Sequence, residues 1–267
     1  MKQENAAEDS AAVIESIASQ FQKLNLPRLA DAKIYLGTPF PTLENIRNAI
    51  NEQRDENETA RFFNRMRYAG ITKERTVDTF EWDDKTYPVV EPGAIEHALS
   101  IEFIALRKNL IIAGPPGAGK SMLATIVACK AIRAEFTVKY KTAHCIATEL
   151  KEARTGNSLS GYVKKHQACD VLVIEDVTFA TFDKTTAQSF FAVIDGRYGR
   201  KTTVITSNGS ISEWAGNFPD KSMSSAILGR FYEEAILINM NGAEDMRLKK
   251  AKVVFDGTAN GGKGDMK

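Results

Sequence analysis

Residues 109–113, Asn-Leu-Ile-Ile-Ala, run directly into Gly114-Pro115-Pro116-Gly117-Ala118-Gly119-Lys120-Ser121, and this stretch decides the fold. The octapeptide fits G-x-x-x-x-G-K-[ST] in full. It has the context that gives the pattern its mechanism: an apolar run before it and a helical pattern, 121–134, after it. Glycines allow successive backbone N–H groups to turn inward as an anion nest. The helix that follows adds its positive end. Lys120 supplies a point charge to outer phosphates, and the Ser121 hydroxyl can ligate Mg²⁺. The segment from Gly114 to Met122 is therefore the candidate phosphate-binding segment.

Working outward, short β-like runs fall at 110–113, 136–141, 171–175, 202–206 and 236–240. Helical patterns fall between them at 121–134, 143–153, 185–197 and 222–231. This alternation predicts an α/β domain with a five-stranded, mostly parallel sheet covered on both faces. Two of the runs end in chemistry. Asp170-Val-Leu-Val-Ile174-Glu175-Asp176 reads as a buried strand delivering two carboxylates at its carboxyl end, where open α/β sheets bind ligands. One acid would hold Mg²⁺ through water and the other would polarise an attacking water. Thr203-Val-Ile-Thr-Ser207-Asn208 ends in an uncharged amide that can orient water or touch a terminal phosphate. Further on, Ser225-Ala-Ile-Leu-Gly-Arg230-Phe231 sets an arginine in an apolar helical run. It reads either as a side chain snorkelling from a helix or as a finger offered to a neighbouring subunit's nucleotide.

The flanks differ in texture. Val13, Ile14, Ile17, Phe21 and Leu24 recur at helical spacing. Pro27 and residues 37–41 interrupt the pattern, and a second helix is expected from Thr42. Residues 1–70 thus read as a small helical module whose polar residues 1–10 fray. Residues 71–95, with Trp82, Asp83, Asp84, Pro88, Pro92 and Gly93, read as a linker. The catalytic domain is expected over 96–252, and Gly-rich 253–267 as a flexible tail.

With 43% apolar residues, the 267-residue chain can bury a sizeable core. Its 35 Lys+Arg and 34 Asp+Glu leave a net charge of +1, which argues against a wholly basic nucleic-acid binder and leaves room for local patches. No apolar run approaches the roughly 20 residues of a membrane span. The acidic, polar start is neither a signal peptide nor a transit peptide. Cys129, Cys145 and Cys169 lack CxxC spacing and read as reduced core thiols. Together these features predict a cytoplasmic protein without a membrane partner.

In this order the elements resemble an AAA+ ATPase, and more closely the IstB helper ATPases of insertion sequences, relatives of the DnaC-type helicase loaders. The resemblance covers roughly residues 20–252. It rests on Leu24-Asn-Leu-Pro-Arg-Leu-Ala30, on the basic pattern from Glu58 through Arg61, Arg65 and Arg67 to Gly70, and on Ile101-Glu-Phe-Ile104. It rests most specifically on Phe191-Ala-Val-Ile194 with Arg197-Tyr198, Ser207-Asn208 with Trp214, and Ala226-Ile-Leu-Gly-Arg230. The resemblance implies ATP and Mg²⁺ as cofactors, a homo-oligomer on duplex DNA, target-site selection and stimulation of an integrase-type transposase. It implies that Lys120 and Ser121 hold phosphate and metal, that Asn208 is a polar sensor, that Arg230 is a trans-acting finger and that Arg247 is a second arginine sensor.

Three departures from the family pattern bear on activity. The acids stand in the order Glu175-Asp176 rather than Asp first, so Glu175 takes the metal-facing position and Asp176 the water-activating one; slow hydrolysis is expected, because water positioning is sensitive at about the 1 Å level. Gly229 replaces the usual Asp before Arg230, and residues 242–247 are longer than the usual loop and lack its Ser-Tyr. For DNA there are two candidate patches, Arg61 and Arg65 with Arg67, Lys73 and Arg75, or Lys151, Arg154, Lys164 and Lys165 with His166. The resemblance favours the second for DNA and the first for packing and partner contacts. Two further readings share the ATPase core: a helicase loader of the DnaC type, and an ATP-gated scaffold that does not turn over. A small-molecule P-loop kinase fits less well, since no separate acceptor-binding or lid segment is found.

Overall fold

A computed structural model describes residues 2–24, 26–80, 86–91, 93–209, 211–243 and 245. The chain separates into two compact units, Met1–Asn64 and Arg65–Lys267. The first contains α1 (Lys2–Lys23), a 3₁₀ turn at Ala32–Tyr35 and the start of α2 (Phe40–Ala69), inside which the division falls. Helix α1 takes in residues 2–10 as well, where polar composition predicts fraying. Val13, Ile14 and Ile17 from α1 meet Tyr35, Leu43 and Ile50, and Phe21 stacks on Tyr35 at 6.5 Å. The Gln20 amide donates to Asn51 at 2.8 Å.

The second unit holds the end of α2, then α3 (Ala94–Ser100), α4 (Glu102–Ala105), β1 (Leu110–Ala113), α5 (Lys120–Arg133), β2 (Val138–Thr142), α6 (Ala143–Thr155), α7 (Leu159–Ala168), β3 (Val171–Glu175), α8 (Lys184–Arg197), β4 (Thr202–Ser207), α9 (Ile211–Ala215), α10 (Lys221–Tyr232) and β5 (Ile236–Asn239). The strands lie in the order β2-β3-β4-β1-β5, and every pairing is parallel. Parallel strands sandwiched between helices are buried on both faces, and every residue of β4 is buried. One face of the core gathers Ile146, Leu150, Leu172, Ile174, Phe190, Trp214 and Phe231. Register brings the carboxyl ends together: Ala113 sits opposite Ser207 and Asn239, and Thr142 opposite Glu175.

The amino edge of the sheet is tied by side chains. Arg197, 1% exposed, donates to the carbonyls of His166 (2.6 Å), Cys169 (2.8 Å) and Thr202, and to Thr203 Oγ1 (3.2 Å). Its burial lowers the guanidinium's proton affinity. The Arg-Tyr pair of the sequence thus has a structural use at its first residue. Asp170 Oδ2 accepts from Thr137 N and Oγ1, and Lys201 Nζ donates to Asp170 Oδ1 at 2.6 Å.

The edge strand β2 is covered rather than open. Lys139 Nζ donates to Tyr68 O at 2.8 Å, and Gly70, at φ +92°, lies so close that a Cβ there would sit 2.8 Å from Tyr140 O. Such covering blunts edge-to-edge pairing. Helix α7, which the sequence reading does not single out, begins inside the Gly/Ser-rich segment. One expectation needs correcting. Cys145 is exposed, because α6 turns Ala143, Ile146, Ala147 and Leu150 to the core and leaves Cys145 on the opposite face; Cys129 and Cys169 are buried.

Candidate nucleotide site

The phosphate loop leaves β1 at its carboxyl end. Gly117 (φ +81°) and Gly119 (φ +89°) adopt left-handed backbone that side chains resist. Gly119 is also the N-cap of α5, and a Cβ there would sit 3.0 Å from Phe80 and 3.1 Å from the Tyr87 hydroxyl. That hydroxyl donates to Ala118 O at 3.0 Å, holding the loop from outside. Gly114 is required for a different reason: a Cβ would press 2.7 Å from Met240, at the end of β5. Lys120 is 4% exposed and donates to Pro115 O at 2.7 Å. The Asp245 carboxylate packs against Gly117.

A cleft of about 590 Å³ opens over this loop, lined by Arg75, Pro116, Gly117, Gly119, Lys120, Ser121, Met122, Thr125, Asp176, Phe179 and Asn208. The sequence-predicted residues Lys120, Ser121, Met122, Asp176 and Asn208 therefore share one cavity. Asn208 Nδ2 donates to Asp176 Oδ1 at 3.0 Å, and Asp176 N donates to Thr206 Oγ1 at 3.0 Å. Asp176 itself is left-handed (φ 54°, ψ 52°), a conformation Asp tolerates better than most residues. Such strain clusters at functional positions. The sequence reading places Asn208 against water or phosphate; the structure brings its amide to the neighbouring acid.

Glu175 opens instead onto an adjoining groove of about 450 Å³ that shares Arg75, Ser121 and Thr125 with the first and adds Lys73, Tyr140, Lys141 and Cys145. The two acids thus flank Ser121 from two sides. Tyr140 joins them: its phenol accepts from Thr125 Oγ1 at 3.3 Å, donates to Ser121 O at 3.5 Å, and is held well above the usual tyrosine range by burial and by the nearby Glu175 charge. Tyr140 was missed by sequence reasoning. Its one trace was alternation in β2, which places it on the face shared with Val138 and Thr142.

Among the described residues no three His, Cys, Asp or Glu side chains converge as a protein-only metal centre. The oxygens of Ser121, Glu175 and Asp176 around one loop suit Mg²⁺, which takes one or two protein oxygens and completes its shell with phosphate and water.

Arg230 lies elsewhere. Asn109 Nδ2 donates to Arg230 O (3.0 Å) and Phe231 O (3.2 Å), which fixes the end of α10 at the amino end of β1, opposite Gly114. The Arg230 guanidinium forks onto Asp195 (2.9 and 2.7 Å), donates to Ala226 O (2.8 Å) and lies 4.6 Å over the Phe191 ring. It is an organised cation and not a loosely snorkelling one. Arg247 lies outside the described residues.

The basic candidates differ in their surroundings. Arg61 is exposed in the first unit. Arg65 is engaged structurally: it donates to the carbonyls of Ile132 and Glu135 in the second unit. Lys151 pairs with Asp183 at 3.3 Å, and Arg154 and Lys164 are exposed. His166 is 2% exposed and accompanies them only in sequence. Lys165 lines a groove of about 870 Å³ along β2, together with Arg67, Lys139, Lys141, Glu149 and Glu152. Burial and the charges of Lys165 and Lys141 lower the proton affinity of Lys139.

Comparison with known proteins places this geometry. Residues 21–253 match the family model described as IstB-like ATP binding protein. The chain is 30% identical over 179 residues to the ATP-binding protein of insertion sequence IS5376 from Geobacillus stearothermophilus, covering 67% of this chain and 70% of that one. It is 25% identical over 207 residues to its IS232 counterpart from Bacillus thuringiensis subsp. berliner, covering 78% and 82%. Among solved structures, AMPPCP-bound DnaA from Aquifex aeolicus superposes with a TM-score of 0.54 at 20% identity, over 70% of this chain and 56% of that one. The DnaC helicase loader superposes with a TM-score of 0.51 at 16% identity, over 62% of this chain and 96% of that one. These structural likenesses establish the AAA+ P-loop fold. With a family model covering most of its length, the chain belongs to the IstB-like ATP-binding proteins of insertion sequences.

Proposed function

We propose that the chain binds and hydrolyses ATP with Mg²⁺, assembles with further copies of itself on duplex DNA, and through that assembly selects target DNA and stimulates an integrase-type transposase. The observation that carries the reading is the separation of the site's parts between the two edges of the sheet. Lys120, Ser121, Asp176 and Asn208 share a cleft at the carboxyl edge, while Arg230 is held at the amino edge. The four residues of β1 span about 13 Å, so Arg230 suits the phosphates of a neighbouring copy rather than its own.

Each residue then has a role. Backbone N–H groups of residues 117–119 and Lys120, released from Pro115 O, hold the phosphates. Ser121 and Glu175 would hold Mg²⁺, which when bound neutralises charge on the outer phosphates. Tyr140 orients Glu175. Asp176, fixed by Asn208 and Thr206, takes the proton of the attacking water. Arg230 of an adjacent copy stabilises charge developing on the transferred phosphoryl group. The relatives' place in insertion sequences supports a transposase as partner. The Lys139, Lys141, Lys165 and Arg67 groove and the exposed Lys151, Arg154 and Lys164 suit DNA phosphates and give weak sequence preference.

Electron microscopy of the chain with duplex DNA tests the reading. Ordered oligomers are expected with ATP and not with the Lys120→Ala variant; a chain that stays monomeric with ATP and DNA sinks it. Phosphate release dependent on Lys120 establishes hydrolysis, whereas ATP-dependent assembly without release makes the protein an ATP-gated scaffold.

A further inference from the structure

The one cation lining the nucleotide cleft that the family motifs leave out is Arg75. Its backbone lies beside α5, with the Arg75 N–H near the Cys129 thiol. Ser121, Thr125 and Cys129 recur every four residues and so form one stripe along that helix. Arg75 lies beside Cys129, about 12 Å along the axis from Ser121. It lines both the cleft that holds Lys120, Asp176 and Asn208 and the groove that holds Glu175, at the two places where these share Ser121 and Thr125.

The side chain is half-buried. Among the described residues no hydrogen bond or ion pair holds its guanidinium, although Glu175 and Asp176 border the same cavities. This contrasts with three other arginines that are buried or part-buried. Arg197 is saturated by carbonyls, Arg230 by Asp195 and Ala226 O, and Arg65 by the carbonyls that end α5. A guanidinium carries five donors that suit phosphate oxygens. One held at a cavity mouth beside a phosphate loop, with its donors unassigned, is arranged for an anion arriving in that cavity.

We propose that Arg75 is a second cation of the nucleotide site acting in cis, bonding the outermost phosphate of the ATP held by Lys120 and Ser121 of the same chain. The proposal rests on the reading of the cleft as an ATP site. It adds to that reading a sensor of the terminal phosphate on the segment that links the end of α2 to the catalytic sheet, so ATP and ADP would hold that segment differently.

The test is titration of the full chain with ATPγS and with ADP, comparing wild type, Arg75→Gln and Arg75→Lys. Arg230→Ala is present throughout, so that no neighbour supplies a guanidinium. Arg75→Gln is expected to weaken ATPγS about 10- to 100-fold, the loss of a charge-assisted phosphate contact, and to leave ADP within about threefold. Retained ADP binding shows that the variant is folded. Arg75→Lys, which keeps the charge, is expected to recover most of the loss. ATPγS affinity unchanged in Arg75→Gln, or an equal fall for both nucleotides, overturns the proposal. Binding of neither nucleotide by the Arg230→Ala parent overturns the ATP-site reading itself, and Arg75 falls with it.

Discussion

At the scale of single residues, the site is built from pairs whose members come from different strands. Asp176 follows β3 and its amide partner Asn208 follows β4; Glu175 and Tyr140 are diagonal neighbours on β3 and β2, two register positions apart. Removing the Asp176 carboxylate as Asp176→Asn is expected to lower turnover about 10²- to 10⁴-fold, the range for a general base, while ATP-dependent assembly persists; phosphate release and light scattering read the two separately. Tyr140→Phe leaves Glu175 without its phenol and is expected to reduce turnover while leaving ADP affinity unchanged. Arg197 is a different kind of residue. Replacing it by Met strips donors from several buried carbonyls and is expected to destabilise the second unit by about 3 kcal/mol or more, read in urea unfolding, with Lys failing to rescue because its compact ammonium cannot fork.

Elements are positioned by what ties their ends. At the amino edge, Asp170 links the starts of β2, β3 and β4 through Thr137 and Lys201. Burial pushes the Asp170 carboxyl up, but the Lys201 ammonium and the two Thr137 bonds overcome this and hold it down at about 2. A depressed carboxylate contributes stability that is present above its unfolded value, near 3.9, and is lost as pH falls toward its folded value. The half-exposed pair makes this contribution modest. Asp170→Asn is therefore expected to be less stable than the parent chain at pH 7 and to converge with it as pH falls from about 4 toward 2, measured by denaturant midpoints across that window.

The element scale also shows what could be read without coordinates. The strand and helix runs of the sheet were legible to within a few residues, because parallel buried strands are continuous apolar blocks and their helices begin at polar caps such as Thr142 and Asp183. The phosphate loop was legible because its chemistry is local. Helix α7 was not, since Gly156, Ser158, Ser160 and Gly161 dilute its periodicity. Arg75 and Tyr140 were not legible as site residues: a turn-rich segment carries no period, and only the pairing of β2 with β3 brings Tyr140 to Glu175. Arg65 read as a free cation because carbonyl acceptors leave no mark in sequence.

For the whole molecule, the proposed sharing of the site between copies makes a specific demand. Lys120→Ala and Arg230→Ala should each be inactive alone, yet an equal mixture should regain turnover, because an interface between one variant of each kind combines an intact phosphate loop with an intact finger; phosphate release in mixtures checks this. If the groove along β2 follows DNA, Lys139→Ala and Lys165→Ala should each reduce the salt slope of binding by about 1 without changing sequence preference, read from affinities over a salt series.

The exposed Cys145 offers a practical consequence. It borders the groove that contains Ser121 and Glu175, whereas Cys129 and Cys169 are buried and burial raises both thiols above their usual range. Thiolate is the reactive form, so a maleimide dye added to the unmodified chain reacts at a single accessible position beside the catalytic acids. The natural sequence thus carries its own attachment point for a fluorescent reporter of nucleotide occupancy, and the cycle of loading and release can be followed in real time without engineering a cysteine into the protein.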